Sequence, residues 1–228
     1  SVGGIRQVYV REPSGRTVLV SRNRAGQPAN AAVDTASSGM RGPAVSADGR
    51  FVVFTSQASN LVTGDADGGQ RDVFRAALAT GALRLVTATD GGPSLYGVDD
   101  GVDVSADGTR VVYARTPSGG ARQLIVRDLL RGGESAVGIA EDGSALTGPF
   151  GQPDISPDGR VVAFSSGGHV YVRDLDSGVT RHLGPGAQPD LSGDGSVVVL
   201  VDGGVVRRVV VASGGSTVMS GNGRDPRV

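Results

Sequence analysis

Short apolar runs, mostly of valine, alternate along the chain with turns rich in glycine, aspartate and serine. Four copies of one pattern recur, each a Ser-x-Asp-Gly turn followed by an apolar run, and they begin at Ser46, Ser105, Ser156 and Ser192. We expect a two-residue type I′ hairpin turn at each Asp-Gly pair, because glycine accepts positive φ and aspartate tolerates it. Each copy therefore predicts a turn from a first strand into a second.

Two further apolar runs follow the turn in the repeats. Third strands are predicted at 73–75, 124–126 and 170–172, and fourth strands at 83–86 and 179–183, with a polar glycine turn between them. Four short strands per repeat form one blade of a β-propeller. Consecutive apolar positions, as in 161–164, suit a sheet that is covered on both faces. The pattern predicts an all-β fold, a β-propeller of four-stranded antiparallel blades.

The repeats organise residues 1–228 as a single propeller domain. Val8–Arg11 repeats Val170–Arg173, so the chain begins within a blade. The predicted divisions are a half blade at 1–40, blades at about 41–98, 99–150, 151–186 and 187–225, and the start of a further blade at 226–228. About five blades are thus represented, which fits part of a six-bladed ring. Further sequence, a partner chain or an incomplete ring would account for the remainder.

The repeats differ in length because of their connections. The four serines are 59, 51 and 36 residues apart, and the shortest spacing is close to a minimal four-stranded blade. The excess lies in two insertions, at 57–71 between second and third strands and at 87–101 between blades. Long connections on a rigid scaffold commonly carry the binding surface. We expect the binding surface at these insertions.

Composition excludes several functions. The 22 basic and 23 acidic residues give a net charge of −1, so nucleic acid is not an expected partner. The chain contains no cysteine, which excludes disulfides, thiolate metal sites and cysteine nucleophiles. The longest wholly apolar run, 197–201, is far shorter than the ~20 residues that span a bilayer. We expect no membrane insertion.

One inserted loop is a candidate calcium site. It carries Asp65, Asp67 and Asp72, the first two in an Asp-x-Asp-Gly sequence. Calcium prefers six to eight oxygen ligands, which carboxylates and carbonyls of such a loop can supply. Ala76 stands where an EF-hand has its bidentate acid, so a solvated acidic loop is the alternative. Asp99, Asp100 and Asp103 form a weaker second acidic cluster.

Catalytic motifs are missing from the sequence. It has no Gly-x-Ser-x-Gly elbow, no phosphate-binding Gly-x-x-x-x-Gly-Lys loop and no His-Glu-x-x-His helix. A general base would have to be His169 or His182, the only two histidines, and ordinary strand residues are the alternative interpretation. The repeated serines and aspartates are interpreted as turn formers whose carboxylates accept backbone N–H groups. We predict that the chain is not an enzyme.

An Arg-Asp pair recurs in the third strands. It occurs at Arg127-Asp128 and Arg173-Asp174, and Arg11 occupies the same position in the half blade. Such a repeat would either line a channel that recognises an anionic peptide or form exposed ion pairs at the blade edges.

The repeats resemble those of TolB-type, WD-repeat-like bacterial β-propellers. The resemblance lies in the pattern Pro-x-x-Ser-x-Asp-Gly-Arg-x-Val-x-Phe and in the sequence Val-Tyr-Val-Arg-Asp-Leu-Asp-Ser-Gly at 170–178, and it covers nearly the whole chain. It implies a propeller, most often six-bladed, in an exported or envelope protein, hence a periplasmic or extracellular location. The sequence departs from the pattern at Val102, which replaces the repeat proline, and at 75–77, where Arg-Ala-Ala replaces Val-Arg-Asp.

The resemblance also implies a class of function. Such propellers act in protein–protein interaction or as non-catalytic domains beside an enzyme. We therefore expect a binding or scaffold module with a protein or peptide partner. The alternative is an accessory propeller of a hydrolase or peptidase whose catalytic domain lies outside this chain.

Overall fold

The computed structural model describes residues 4–33, 42–65, 69–88, 96–117 and 119–221. These ranges form eighteen β-strands in five antiparallel sheets, and they contain no helix long and apolar enough to cross a membrane. Four sheets have four strands and one has two, which confirms the predicted four-stranded antiparallel blades.

The half blade and the first two complete blades lie between residues 9 and 136. The half blade consists of β1 (Tyr9–Arg11) and β2 (Thr17–Leu19). The first blade consists of β3 (Ala44–Val45), β4 (Phe51–Ser56), β5 (Asp72–Ala77) and β6 (Leu83–Leu85). The second consists of β7 (Tyr96–Val104), β8 (Arg110–Pro117), β9 (Gln123–Asp128) and β10 (Glu134–Ala136). Because β7 starts at Tyr96, the second blade begins slightly before the division placed at residue 98.

The last two blades are the most regular. The third consists of β11 (Phe150–Ile155), β12 (Val161–Ser166), β13 (His169–Asp174) and β14 (Thr180–Pro185). The fourth consists of β15 (Ala187–Leu191), β16 (Val197–Asp202), β17 (Val205–Val210) and β18 (Ser216–Gly221). In all four blades the strands pair in the order of the sequence, so the first strand is at one edge of the sheet and the fourth at the other.

The core lies between the sheets. The first strands β3, β7, β11 and β15 contact one another in sequence, which places them around a common axis and their blades outward from it. Alternate side chains of each second and third strand fill the interfaces, for example Val162 and Phe164 towards the second blade and Ala163 towards the fourth. Each fully buried valine or phenylalanine contributes about 1.5–3 kcal/mol. Consecutive apolar residues are needed because both faces of the sheet are buried.

The repeated turn differs from the predicted type I′ form. In Ser46-Ala47-Asp48-Gly49 only the glycine has positive φ, at 69°, and its N–H donates to the Ser46 carbonyl at 2.8 Å. Ser46 N–H donates to the Phe51 carbonyl at 2.9 Å, so four residues separate the paired positions. The prediction of a two-residue type I′ turn was wrong, because hydrogen bonds to the Ser46 and Asp48 side chains hold a wider turn.

These side-chain bonds are the same in the four blades. In the first, the Ser46 hydroxyl donates to Asp48 Oδ1 at 2.7 Å and accepts the Phe51 N–H at 2.9 Å. Asp48 Oδ1 also accepts the Arg50 N–H at 2.9 Å. The corresponding Ser–Asp distances in the other three blades are 2.7, 2.6 and 2.7 Å. The prediction that the aspartates accept backbone N–H groups is confirmed.

Candidate binding cleft

A cleft of about 990 Å³ lies where the half blade meets the first complete blade. Three short segments line it: Arg22–Ala25 after β2, Asn60–Thr63 in the insertion between β4 and β5, and Thr80–Leu83 at the turn between β5 and β6. The insertion at 57–71 was predicted to carry a binding surface, and it forms one wall of this cleft. The other two segments gave no signal in the sequence, because they approach it only when the blades pack.

A network of asparagines holds two of the walls together. The Asn60 side chain donates to the Pro28 carbonyl at 2.9 Å, and its Oδ1 accepts the Asn30 N–H at 3.0 Å. Asn23 Nδ2 donates to the Asn60 carbonyl at 3.2 Å. Leu61 is buried in the core beneath the cleft. The insertion is therefore fixed against the half blade at both its polar and its apolar side chains.

The cleft carries positive charge. Its twelve lining residues include Arg22 and Arg24 but no acidic residue. Within the described ranges neither arginine forms an ion pair, and Arg22 extends along the wall to contact Gly81. A guanidinium offers a planar fork of donors that matches a carboxylate or phosphate. The cleft thus has the chemistry to accept an anionic group.

The predicted calcium ligands have different environments. Asp72 is fully buried at the start of β5, where its Oδ1 accepts a hydrogen bond from the Thr87 hydroxyl. Asp65 is half-buried in the insertion, and Asp67 lies outside the described residues. Those residues contain no group of three histidine, aspartate or glutamate side chains placed to hold a metal. Calcium binding at this loop stays a prediction.

Carboxylates on the first strands join neighbouring blades. Asp103 Oδ2 on β7 accepts the Ile155 N–H of β11 at 3.0 Å, and Asp154 Oδ2 on β11 accepts the Leu191 N–H of β15 at 2.5 Å. Burial, and then the negative charge of Asp154, raise the pKa of Asp103 well above the usual aspartate range. These bonds are structural links between blades.

These carboxylate links between blades were not predicted from the sequence, although the sequence contains a repeated aspartate that indicates them. An aspartate precedes the turn serine by two positions in three copies, at Asp103, Asp154 and Asp190, but Ala44 takes that position in the first copy. Asp103 belongs to the weaker acidic cluster considered for metal, and the side chains of Asp99 and Asp100 are not described.

The Arg-Asp repeat does not form a shared channel. Arg173 donates to the Gly178 carbonyl at 3.0 Å and to Thr180 Oγ1 at 2.8 Å, both in its own blade. Arg127 lies 3.6 Å from Glu134 on the neighbouring strand. Arg173 Nε also donates to the Ala136 carbonyl of the second blade at 3.1 Å. Both arginines are on third strands, away from the first strands that surround the axis.

The two histidines meet on the third blade. His182 Nε2 and His169 Nδ1 are 2.9 Å apart, and both side chains are exposed. They lie on β14 and β13, in a different blade from the residues that line the cleft.

Four-stranded antiparallel sheets around a common axis define the chain as a β-propeller. No family model matches the sequence, and no curated protein matches it either. Solved structures give the closer description: the fold is similar to that of TolB from Acinetobacter baumannii over 97% of this chain, at 19% identity and a TM-score of 0.59. This TolB-like similarity agrees with the resemblance of the repeats.

Two other solved structures are similar to this chain. One is an oligogalacturonate lyase in complex with manganese, at 14% identity and a TM-score of 0.61, over 94% of this chain and 58% of that one. The other is the β-propeller domain of the Trilobed protease from Pyrococcus furiosus, at 10% identity and 0.54, over 81% and 57%. The chain spans about half the length of the Acinetobacter TolB, 51%. At these identities the similarity concerns the fold alone.

Proposed function

We propose that this propeller is a non-catalytic binding module that engages an acidic protein or peptide in the periplasm or outside the cell. The observation that carries the proposal is the cleft between the half blade and the first blade. Two of its three walls are fixed by the asparagine network, and its Arg22 and Arg24 side chains form no ion pair among the described residues. A rigid wall with arginines ready for carboxylates favours binding, because little order has to be gained on association.

The lining chemistry favours binding over catalysis. The twelve residues of the cleft are arginine, asparagine, threonine, glycine and apolar residues, with no histidine, aspartate, glutamate or serine. General acid–base catalysis requires a group that exchanges protons near neutral pH. The repeat serines are engaged in the turns, where the hydroxyl both donates and accepts. These features support a role in recognition.

An accessory role beside an enzyme is the second candidate. The similarity to the propeller domain of the Trilobed protease favours it, since that propeller is a domain of a protease. Sequencing the complete gene tests this candidate. A hydrolase or peptidase domain in the same polypeptide would support it, and a gene without one would contradict it.

Peptide binding tests the first candidate. We expect fluorescence anisotropy to show that a glutamate-rich peptide binds the parent protein, while a glutamine-rich peptide of equal length binds at least tenfold more weakly. Arg22→Ala combined with Arg24→Ala should weaken the glutamate-rich peptide about tenfold, because each charged hydrogen bond contributes roughly 1.5–3 kcal/mol before losses to solvent.

The matched control removes two exposed arginines elsewhere, Arg131→Ala combined with Arg181→Ala. It has the same net charge as the cleft variant, so it separates a local site from general electrostatic attraction. Equal losses in the two double variants, or equal binding of the two peptides by the parent, would contradict the proposal.

A further inference from the structure

We propose that His169 and His182 form a binding site for a divalent transition-metal ion on the rim of the third blade. The site is separate from the cleft and from the acidic loop considered for calcium. Its ligand class is two imidazole nitrogens, with water completing the coordination.

The first observation is the meeting of the two histidines. The chain has only two, thirteen positions apart in the sequence, and their ring nitrogens lie 2.9 Å from each other. Both side chains are exposed, so neither histidine serves to fill the core. The fold brings these two exposed side chains into direct contact, although they are far apart in the sequence.

A β-bulge lies beside the contact. Tyr171 on β13 pairs with His182 on β14, while Val170 pairs with Gly184, so Leu183 is an extra residue between the paired positions. Bulges change the direction of side chains and occur frequently beside functional sites. Here the bulge places Leu183 next to the two histidines, which face each other diagonally across β13 and β14.

The distance between the nitrogens suits a metal. Zinc–nitrogen bonds are about 2.0–2.1 Å, so two nitrogens bound to one ion are about 2.9 Å apart at a right angle and about 3.4 Å apart at a tetrahedral angle. The observed 2.9 Å lies at the start of this range. Small rotations of the exposed rings would direct both lone pairs at one ion.

A metal can replace the hydrogen bond between the two rings through a change of tautomer alone. In the contact one ring nitrogen donates its proton to the lone pair of the other. A neutral imidazole has two tautomers, so the donor ring moves that proton to its second nitrogen. Both facing nitrogens then offer lone pairs, and the metal replaces the hydrogen bond between the rings.

The neighbouring residues restrict the geometry of the site. The Tyr171 ring lies 5.1 Å from the His182 ring, and Tyr171 itself stacks on buried Phe164 at 5.5 Å. The His182 ring is therefore supported by aromatic contacts that begin in the core. Such support reduces the order that must be gained when a metal binds.

The ligand type selects the class of ion. Imidazole nitrogens suit zinc, copper and nickel, whereas calcium and magnesium prefer oxygen. With two protein ligands, affinity should follow the general order in which copper(II) exceeds nickel(II) and zinc(II). The site should not respond to calcium.

Titration with copper(II) in a glycine-containing buffer tests the proposal, because glycine competes for weak non-specific sites. We expect one equivalent to bind the parent, with nitrogen hyperfine structure from two imidazoles in the electron paramagnetic resonance spectrum. His169→Ala and His182→Ala should each weaken binding at least tenfold. Val179 is exposed and directly precedes β14, so Val179→Ala should leave copper binding unchanged.

Thermal unfolding gives an independent measurement. Zinc should raise the melting temperature of the parent, because a ligand of the native state stabilises it. The increase should vanish in both histidine variants and persist in Val179→Ala. Any increase that calcium gives should be the same in the parent and in the histidine variants. Equal copper affinity in the parent and either histidine variant, or no specific binding by the parent, would overturn the proposal.

Discussion

The two ends of each blade contrast in how far they repeat. At the end with the Ser-x-Asp-Gly turns, all four blades make the same serine–aspartate bond at 2.6–2.7 Å. At the opposite end, second and third strands are joined by two residues in the third and fourth blades but by fifteen in the first, 57–71. The chain is uniform where blades must fit one another and variable at the opposite end, where long connections on a rigid scaffold commonly carry binding surfaces.

The uniform end also locks each blade to the next. The Gly108 turn of the second blade lies against the Phe51 ring of the first, and Arg75 stacks on that ring with its guanidinium 4.4 Å from the ring centre. Arg75 NH1 donates to the Gly108 carbonyl at 2.7 Å. Burial lowers the pKa of Arg75. In the sequence this residue was noted only as a departure from the repeat pattern.

The largest expected effect on stability is at this contact between the first two blades. Gly108 has φ of +72°, and an added Cβ would overlap the Phe51 ring, which Arg75 holds in place. Gly108→Ala should reduce the free energy of unfolding by about 3 kcal/mol, from left-handed strain of roughly 1 and overpacking of roughly 2. Urea denaturation measures this directly.

Two glycines provide matched controls. Gly49 at the same end and Gly168 at the opposite end have φ of +69° and +79°, and an added Cβ at either would meet open space. Their alanine variants should lose only about 1 kcal/mol, since strain remains without overpacking. Equal losses at Gly108 and Gly49 would show that contact between blades adds nothing at the turn end.

A second effect concerns the carboxylates that link first strands. Burial and the charge of Asp154 raise the pKa of Asp103, so the native state retains a proton that the unfolded chain loses near pH 4. The contribution of Asp103 is therefore complete below about pH 4 and is lost as the pH rises towards and beyond neutrality.

The variant Asp103→Asn tests this direction of the pH dependence of stability. The amide keeps an oxygen that can accept the Ile155 N–H, but it does not ionise. We expect unfolding measured by urea from pH 5 to 9 to show a decline in the parent that is smaller in the variant. A parallel decline in both proteins would mean that Asp103 does not bind the extra proton.

Regular features of this molecule could be predicted from sequence, and contacts between distant segments could not. Valine runs and Asp-Gly turns specify strand order because both are local signals. The turn type was missed because the serine hydroxyl widens it, and the carboxylate link was missed because Ala44 interrupts its repeat. The cleft depends on three segments that meet when the blades pack, and the histidine contact depends on the register of β13 and β14; no local pattern reveals either.

The smallest effect is at an exposed turn. The hydrogen bonds from Ser192 and from the Ser196 N–H lower the pKa of Asp194 to about 2. Because the native pKa lies below the unfolded value near 4, this carboxylate stabilises the fold above about pH 4, and the contribution is lost as the pH falls towards 2. The sign is opposite to that of Asp103, although both residues lie near the turn end.

Asp194→Asn should therefore flatten the stability profile on the acid side only. The change should be slight, because solvent screens an exposed carboxylate. Urea unfolding at pH 2.5, 4 and 6 would show the parent losing more stability than the variant between 4 and 2.5. If Asp194→Asn instead altered the profile above neutrality, as Asp103→Asn is expected to do, the turn aspartates would share the protonation chemistry of the first strands. The division between a solvated turn and an enclosed link would then be wrong.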